Sequence, residues 1–174
     1  AGSGAADLLA TRLPGLRIVV PTIEPVAGAV RAAARQWRCA PLVVEGEAER
    51  FAAMAASTAA LAVSGTVSVD LAIAGVPMIV CYRGPLLSYL LVLLMAQARH
   101  ASIVNLVLDR PVVEERFQGA CRPDRLAAAC AALLADEGRR RAQKAAFREA
   151  VALLGSGKPA TERAAEAVLT YLNP

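Results

Sequence analysis

The residues of this sequence best suited to chemistry are Ser64, Gly65 and Thr66, which follow an apolar run, and Asp70 a little further on. The apolar run predicts a strand that ends at Ser64, and Thr66 begins a predicted helix. Unpaired backbone N–H groups and the helix dipole make such a first turn attractive to anions. Asp70 lies one turn along the same face, where its carboxylate can accept two hydrogen bonds from a cis-diol such as a ribose. The spacing therefore predicts a site for a phosphate and its attached sugar.

A plainer interpretation of the same residues stays open beside this one. Serine, glycine and threonine before a helix also form an ordinary N-terminal cap, and Asp70 would then be a solvated helix residue. Arg83 follows the next predicted strand and allows the same two interpretations. Its guanidinium group can pair with a phosphate, or it can simply lie on the surface.

The elements that must position these residues alternate along the first half of the chain. Helices are predicted over residues 5–13, 24–37, 47–56 and 67–74, and strands over residues 16–20, 41–44, 60–63 and 77–82. Short apolar strands separated by helices are typical of βαβ units, with a parallel sheet covered on both faces. The pattern predicts the α/β class, as one doubly wound parallel sheet with right-handed crossovers.

The second half predicts a helical C-terminal tail. Residues 102–108 are predicted to be extended or loop, and residues 111–117 a short helix that begins at Pro111. Further helices are predicted over residues 123–135, 139–153 and 159–172, with a break at residues 155–157. Four strands are fewer than the five or six usual in doubly wound nucleotide-binding sheets. We therefore expect the chain to start inside the domain, so that its first strand is missing.

Composition excludes several classes of protein. The chain has 174 residues and is 56% hydrophobic, which is too apolar for a disordered chain. Its four cysteines are far apart and it has one histidine, so neither a disulfide framework nor a zinc site is predicted. The net charge of +4 comes mainly from scattered arginines. Because no recognition motif accompanies that charge, nucleic acid is not an expected partner.

Two motifs resemble those of GT-B glycosyltransferases, and more closely those of the lipid-A-disaccharide synthase family. The family pattern is Ser-Gly-Thr-x-x-x-Glu, followed by Gly/Cys-x-Pro-Met-Val-Val-x-Tyr. The matching residues here are Ser64, Gly65, Thr66, Pro77, Met78 and Tyr82. Asp70 stands where the family has glutamate, and its side chain is shorter by one methylene group.

Two downstream motifs extend the resemblance. The family has Leu-Pro-Asn and then Val-Pro-Glu-x-x-Gln. Asn105, Glu115 and Gln118 occupy matching positions, whereas Val104 and Glu114 replace the two prolines. An early strand and the final helices also match, so the resemblance covers nearly the whole chain.

The resemblance implies a Rossmann-like fold, the C-terminal half of a GT-B enzyme. Residues 5–155 would form the UDP-sugar-binding domain. Residues 156–174 would form a C-terminal helix that is exchanged between copies or packs on an N-terminal domain outside this chain. The implied activity is that of a hexosyltransferase of lipid A biosynthesis. The full-length enzyme would transfer diacylglucosamine from a UDP donor to a lipid monosaccharide phosphate and release UDP.

The resemblance also implies roles for particular residues. Ser64, Gly65 and Thr66 would hold the diphosphate and Asp70 the ribose. Asn105, Glu115 and Gln118 would line the cleft. Asn105 would hydrogen-bond to the donor or acceptor sugar, whereas for Glu115 and Gln118 a role limited to bracing the loop stays open. The catalytic base is expected in the N-terminal domain, and no metal or cofactor is expected. We therefore expect this chain alone to be inactive as a transferase.

The remaining expectations concern partners and location. A leucine-rich helix over residues 85–98 would be buried or would enter a membrane interface. The family resemblance implies a cytoplasmic enzyme peripheral to the inner membrane, and a homodimer with exchanged C-terminal segments is an open alternative to a monomer. Two other functions stay open at this point: another UDP-sugar GT-B enzyme, and a non-catalytic α/β interaction module.

Overall fold

Residues 1–85 and 100–155 are described by the computed structural model of this chain. Within them the helices are α1 (Gly2–Arg12), α2 (Glu24–Ala34), α3 (Glu47–Ala55), α4 (Val67–Ile73), α5 (Ile103–Leu108), α6 (Pro123–Ala135) and α7 (Glu137–Gly155). The strands are β1 (Val19–Thr22), β2 (Leu42–Glu45), β3 (Ala60–Val63), β4 (Met78–Tyr82) and β5 (Glu114–Phe117). The predicted leucine-rich helix and the predicted C-terminal helix lie outside the described residues.

The strands are parallel and form two sheets. Strand β1 pairs with β2, and β4 lies between β3 and β5 in a second sheet. Parallel strands alternating with helices confirm the predicted α/β class. The described residues contain five strands where the sequence showed four, and these strands form two separate sheets.

Helices cover both faces of the three-stranded sheet. On one face Met78 and Val80 of β4 pack with residues of α4, α5 and α7, namely Leu71, Ala72, Val104, Phe147 and Ala150. On the other face Ile79 packs with residues of α1 and α6, namely Ala5, Leu9, Leu126, Ala127 and Leu133. This alternation along β4 explains why its sequence is apolar at every position, as expected for a strand buried on both sides.

A buried glutamine ties α7 to the start of β4. The side chain of Gln143 accepts a hydrogen bond from the backbone N–H of Met78 at 2.8 Å. It donates to the carbonyl oxygen of Met78 at 3.2 Å and to that of Val112 at 3.3 Å. Because these groups are buried, an apolar residue at position 143 would leave them unpaired. Gln143 therefore fixes the amino end of the sheet against α7.

Two predictions for the second half are wrong. Residues 102–108, predicted to be extended or loop, contain helix α5, and residues 111–117, predicted to be a helix, end in strand β5. The β-branched residues of α5 favour strands, but burial of Val104 against the sheet outweighs that preference. Strand β5 has the sequence Glu-Glu-Arg-Phe and only half-buried side chains. It therefore lacks the apolar run by which the other strands are recognised.

Smaller corrections concern the ends of elements. Pro21 lies inside β1 rather than ending it, which an edge position permits because proline there need not donate to a ladder. Helix α7 begins at Glu137 rather than Arg139, since the Asp136 carboxylate accepts the backbone N–H of Arg139 at 2.8 Å. Helix α1 begins at Gly2, and Gly4 lies so near Pro123 that a Cβ there would stand 3.1 Å from its ring.

Candidate functional site at the carboxyl edge

The segment Ser64–Thr66 forms a corner between a buried strand and a helix. Strand β3 ends at Val63, and α4 begins at Val67 directly after Thr66. Gly65 has φ +149°, which favours glycine, although a Cβ at this position would meet no atom within 4 Å. The corner therefore has open space beside it, and the backbone can be approached closely.

Two backbone N–H groups of this corner have no hydrogen-bond partner in the described residues. The Ser68 hydroxyl donates to the carbonyl oxygen of Gly65 at 2.7 Å, which holds the turn from the helix side. In the described residues, the backbone N–H groups of Gly65 and Thr66 donate to no other group. The Thr66 side chain also makes no capping hydrogen bond to α4. The simple cap that the sequence allowed is therefore absent, and these donors remain available to an anion.

Ser64 links the corner to the segment before α5. Its hydroxyl donates to the carbonyl oxygen of Ala101 at 3.0 Å. The backbone N–H groups of Ala101 and Ser102 in turn donate to the Glu115 carboxylate at 3.1 Å and 2.7 Å. Two residues selected from the sequence, Ser64 and Glu115, thus meet through one short backbone segment.

Asn105 completes this network from a buried position. Its amide nitrogen donates to the carbonyl oxygen of Val113 at 2.8 Å and to Glu115 at 3.0 Å. Its amide oxygen accepts the N–H groups of Val112 and Val113 at 2.9 Å and 2.8 Å. All hydrogen-bonding groups of this side chain are therefore committed to the protein, and only 1% of the residue is exposed. In this conformation Asn105 orients Glu115 and does not offer a free group to a ligand.

Asp70 lies beside an arginine that the sequence analysis missed. A carboxylate oxygen of Asp70 is 3.9 Å from a terminal nitrogen of Arg50, and about 30% of the Asp70 side chain is exposed. Arg50 is the fourth residue of α3, as Asp70 is the fourth residue of α4. This matching position after consecutive parallel strands was the available signal, because it places both side chains at the same edge.

Arg83 and Gln118 follow the carboxyl ends of β4 and β5. Arg83 is exposed. Gln118 has φ +44°, a conformation that residues other than glycine rarely adopt. Its amide nitrogen is buried and has no hydrogen-bond partner in the described residues. Strain and an unpaired donor at one position are typical of functional sites rather than of ordinary turns.

Most of the buried polar atoms without a hydrogen-bond partner in the described residues lie near the carboxyl ends of strands. In the described part of the chain these unpaired atoms belong to Thr22, Arg50, Ser102 and Gln118. Thr22 ends β1, Arg50 is in the first turns of the helix after β2, and Gln118 follows β5. Thr22, Arg50 and Gln118 therefore lie at or after the carboxyl ends of strands, where α/β proteins bind ligands, whereas Ser102 directly precedes α5.

A cleft of about 590 Å³ borders this network on the side of β5. It is lined by His100, Asn105, residues 111–115 and Arg139. Desolvation opposes ionisation of Glu114 in this cleft, but hydrogen bonds and charge from Arg139 and Arg116 outweigh it and lower the pKa of Glu114. Glu114, which stands where the family has a proline, is therefore held as a carboxylate between two arginines.

The cysteines form no nucleophilic site. All four are free. Burial, followed by the neighbouring Cys121 thiol, raises the pKa of Cys81 to about 11, and burial raises the pKa of Cys130 to about 11 as well. The Cys121 thiol donates to the carbonyl oxygens of Tyr82 and Arg116. Cys81 and Cys130 therefore stay protonated near neutral pH and pack as small apolar residues.

The parallel strands, the glycine corner and the carboxylate one turn beyond it define the class of protein. They are features of Rossmann-like α/β domains that bind ligands at the carboxyl edge of the sheet, and the fold is consistent with one half of a GT-B glycosyltransferase. The described helices include none that is both long enough and apolar enough to cross a bilayer.

Comparison with known proteins gives the family. A profile described as lipid-A-disaccharide synthetase matches residues 3–169, so the chain belongs to that family. A lipid-A-disaccharide synthase of Rhodospirillum centenum is 42% identical over 167 residues, which are 95% of this chain and 42% of the relative. The enzyme of the same name from Paramagnetospirillum magneticum is 40% identical over 168 residues, 95% of this chain and 43% of the relative.

The family resemblance drawn from the motifs is therefore confirmed. A third lipid-A-disaccharide synthase, from Rhodopseudomonas palustris, is 38% identical over 155 residues, 88% of this chain and 39% of the relative. The chain spans about two fifths of the length of these relatives. The match favours this family over another UDP-sugar enzyme or an unrelated interaction module.

Proposed function

We propose that this chain is the donor-binding part of a lipid-A-disaccharide synthase, a hexosyltransferase of lipid A biosynthesis. The complete enzyme transfers diacylglucosamine from a UDP donor to a lipid monosaccharide phosphate and releases UDP. The observation that carries the proposal is the corner Ser64–Thr66, whose unpaired N–H groups lie one helical turn from the Asp70 carboxylate. Family membership supports the choice of substrates.

In this proposal the corner binds the diphosphate of the donor. Backbone N–H groups of Gly65 and Thr66, with the Thr66 hydroxyl, donate to phosphate oxygens. These hydrogen bonds strengthen as negative charge develops on the leaving UDP, and they lower the barrier by that difference. Asp70 accepts hydrogen bonds from the ribose. Its shorter side chain reaches about 1.5 Å less far than the family glutamate, one carbon–carbon bond, so the nucleotide must lie closer to α4.

The other selected residues act around this corner. Arg83 and Gln118 donate to the donor from the ends of β4 and β5. Asn105 and Glu115 position the backbone at Ala101, and through it Ser64. In this proposal Asn105 and Glu115 support the site, and Arg83 and Gln118 bind the donor.

Transfer itself requires parts of the enzyme outside this chain. We place the acceptor site and the catalytic base in a separate N-terminal domain, so the chain alone has no transferase activity. The reaction needs no metal or cofactor in this proposal. The enzyme acts in the cytoplasm at the surface of the inner membrane, where both lipid substrates reside, and a homodimer with exchanged C-terminal helices is its proposed assembly.

Calorimetric titration with UDP tests the donor site. Thr66→Ala and Asp70→Asn should each weaken UDP binding about 10-fold, since each removes hydrogen bonds to charged or polar ligand groups. Thr58→Ala and Asp109→Asn are matched controls, because both side chains are exposed and neither makes a hydrogen bond or an ion pair within residues 1–85 and 100–155. Equal weakening by the controls, or absence of UDP binding to the unmodified chain, would contradict the proposal.

A further inference from the structure

Arg50 approaches the Asp70 carboxylate without making a hydrogen bond to it. The two side chains are 25% and 30% exposed, and their closest charged atoms are 3.9 Å apart. This distance permits electrostatic attraction but exceeds the usual length of an N–H···O hydrogen bond. The pair is therefore loose, and the carboxylate keeps its hydrogen-bonding capacity for another group.

The Arg50 guanidinium is held in place by an aromatic ring rather than by acceptors. Its central carbon lies 5.1 Å from the centre of the Phe51 ring, within the range of a cation–π contact. Phe51 itself packs against the core cluster that includes Met54 and Leu71, so the ring is fixed. Arg50 is thus oriented by packing before any ligand is present.

One donor of this guanidinium is both buried and unpaired. The Nε atom of Arg50 has no hydrogen-bond partner in the described residues. A buried donor on a charged group costs free energy until an acceptor reaches it. Asp70 is the acidic side chain that pairs with Arg50 in the described structure, and it does so through a different nitrogen. An oxygen atom of a bound ligand, reached by a small shift of the pair, would supply this acceptor.

We propose that Arg50 and Asp70 together recognise the ribose of the bound nucleotide. Asp70 accepts hydrogen bonds from the ribose hydroxyls, while Arg50 stays beside the carboxylate and, after a small shift of the pair, donates Nε–H to a ribose hydroxyl. This inference rests on the proposed donor site and adds a residue outside the matched motifs. It also gives Asp70 a neighbour that fixes its position despite its shorter side chain.

Comparison of two nucleotides tests this pair on the intact chain. UDP and its 2′,3′-dideoxy analogue carry the same base and diphosphate and differ only in the ribose hydroxyls. Arg50→Gln should weaken UDP binding about 10-fold and leave binding of the dideoxy analogue within about 2-fold. Combining it with Asp70→Asn should weaken UDP little further, because both residues serve the same contact.

Controls separate recognition from folding and from general charge. Arg148→Gln removes an exposed arginine of α7 and should leave both affinities unchanged. Arg50→Lys keeps the charge but lacks Nε, so it should recover only part of the affinity for UDP. Thermal unfolding of each variant checks that the fold is retained.

Three results would overturn the inference. Equal weakening of both nucleotides by Arg50→Gln would show that Arg50 serves the phosphates or the fold rather than the ribose. If UDP binding is unchanged in Arg50→Gln while Asp70→Asn and Thr66→Ala still weaken it, that result would contradict the role of Arg50 and leave the proposed donor site supported. Absence of UDP binding to the unmodified chain would remove the donor site and this inference together.

Discussion

Asn105 shows how one buried side chain can organise the candidate site without touching a ligand. It bridges α5 to the segment before β5 and fixes the Glu115 carboxylate, which binds the backbone at Ala101 and Ser102. Sequence patterns select Asn105 correctly as a special residue. They do not distinguish a binding role from a bracing role, because that depends on which partners the fold brings within reach.

Replacement of Asn105 tests the bracing role. Asn105→Ala leaves the buried N–H group of Val113 without an acceptor, removes one of the two acceptors of the Val112 N–H, and leaves the Val113 carbonyl without the Asn105 amide donor. We expect the free energy of unfolding to fall by about 3 kcal/mol. Urea denaturation measures it, with exposed Thr58→Ala as a control expected within about 0.5 kcal/mol of the unmodified chain. A loss below about 0.5 kcal/mol for Asn105→Ala would contradict the network.

The contacts of Glu114 with two arginines predict that the stability of the folded chain depends on pH. Despite desolvation, Arg139 and Arg116 lower the pKa of Glu114 in the folded chain, so its folded pKa lies below its unfolded value. Its stabilisation is therefore fully present above the ordinary glutamate range, about pH 4.3, and is lost as the pH falls through the folded pKa. Glu114→Gln should lower the free energy of unfolding at pH 7 by about 1 kcal/mol.

The same comparison in acid provides the check. As the pH falls below the ordinary glutamate range toward the lowered folded pKa, the stability difference between Glu114→Gln and the unmodified chain should shrink. Urea denaturation at neutral and at acid pH measures this difference. A difference that stays constant or grows in acid would show that the arginine contacts are not its source.

At the scale of elements, the first half was predictable because each strand is apolar and each helix follows a clear break. The first three residues of strand β4, Met78, Ile79 and Val80, are buried against helices on both faces and carry the signal. Strand β5 has no such signal, since Glu114 pairs with Arg116 and Arg139, and Glu115 accepts hydrogen bonds from the backbone N–H groups of Ala101 and Ser102. Helix α5 is decided by tertiary contacts of Val104 and Asn105 that no local pattern contains.

Helix α6 offers a test of the layered core. Leu126 is fully buried between α6 and the sheet, whereas Leu154 of α7 is 43% exposed. Leu126→Ala should lower the free energy of unfolding by 2–5 kcal/mol, since it opens a cavity as well as losing apolar contact. Leu154→Ala is the matched helical control and should cost less than about 1 kcal/mol. Similar losses for both variants, measured by urea denaturation, would contradict packing of α6 on the sheet.

At the scale of the whole molecule, three of the four residues with unpaired buried polar atoms in the described ranges lie at or after the carboxyl ends of strands. The opposite, amino edge also has a depression, of about 370 Å³, lined by residues 56–58, Glu137, Arg140, Arg141 and Lys144. Two of its cations are already engaged, because Arg140 donates to carbonyl oxygens at the end of α6 and Arg141 pairs with Glu137. Charge alone would favour this depression for a phosphate, whereas unpaired donors and family motifs favour the carboxyl edge.

The corner and its carboxylate could be predicted from the sequence, because glycine and threonine followed by aspartate one turn later indicate a turn and a helix start from neighbouring residues alone. The sequence could not locate Arg50, whose role depends on two helices that follow different strands coming within 3.9 Å of one another. Nor could the sequence show that Glu115 supports the hydrogen-bond network, whereas Arg83 and Gln118 follow the ends of strands. Contacts between distant parts of the chain decide all three.

Mapping of backbone amide chemical shifts during titration with UDP tests the central claim most directly. The account predicts that the largest saturable shifts fall at Gly65, Thr66 and Asp70 on the carboxyl edge. Largest shifts at Thr58 and Lys144, on the amino edge, would contradict it and assign the nucleotide to the basic depression.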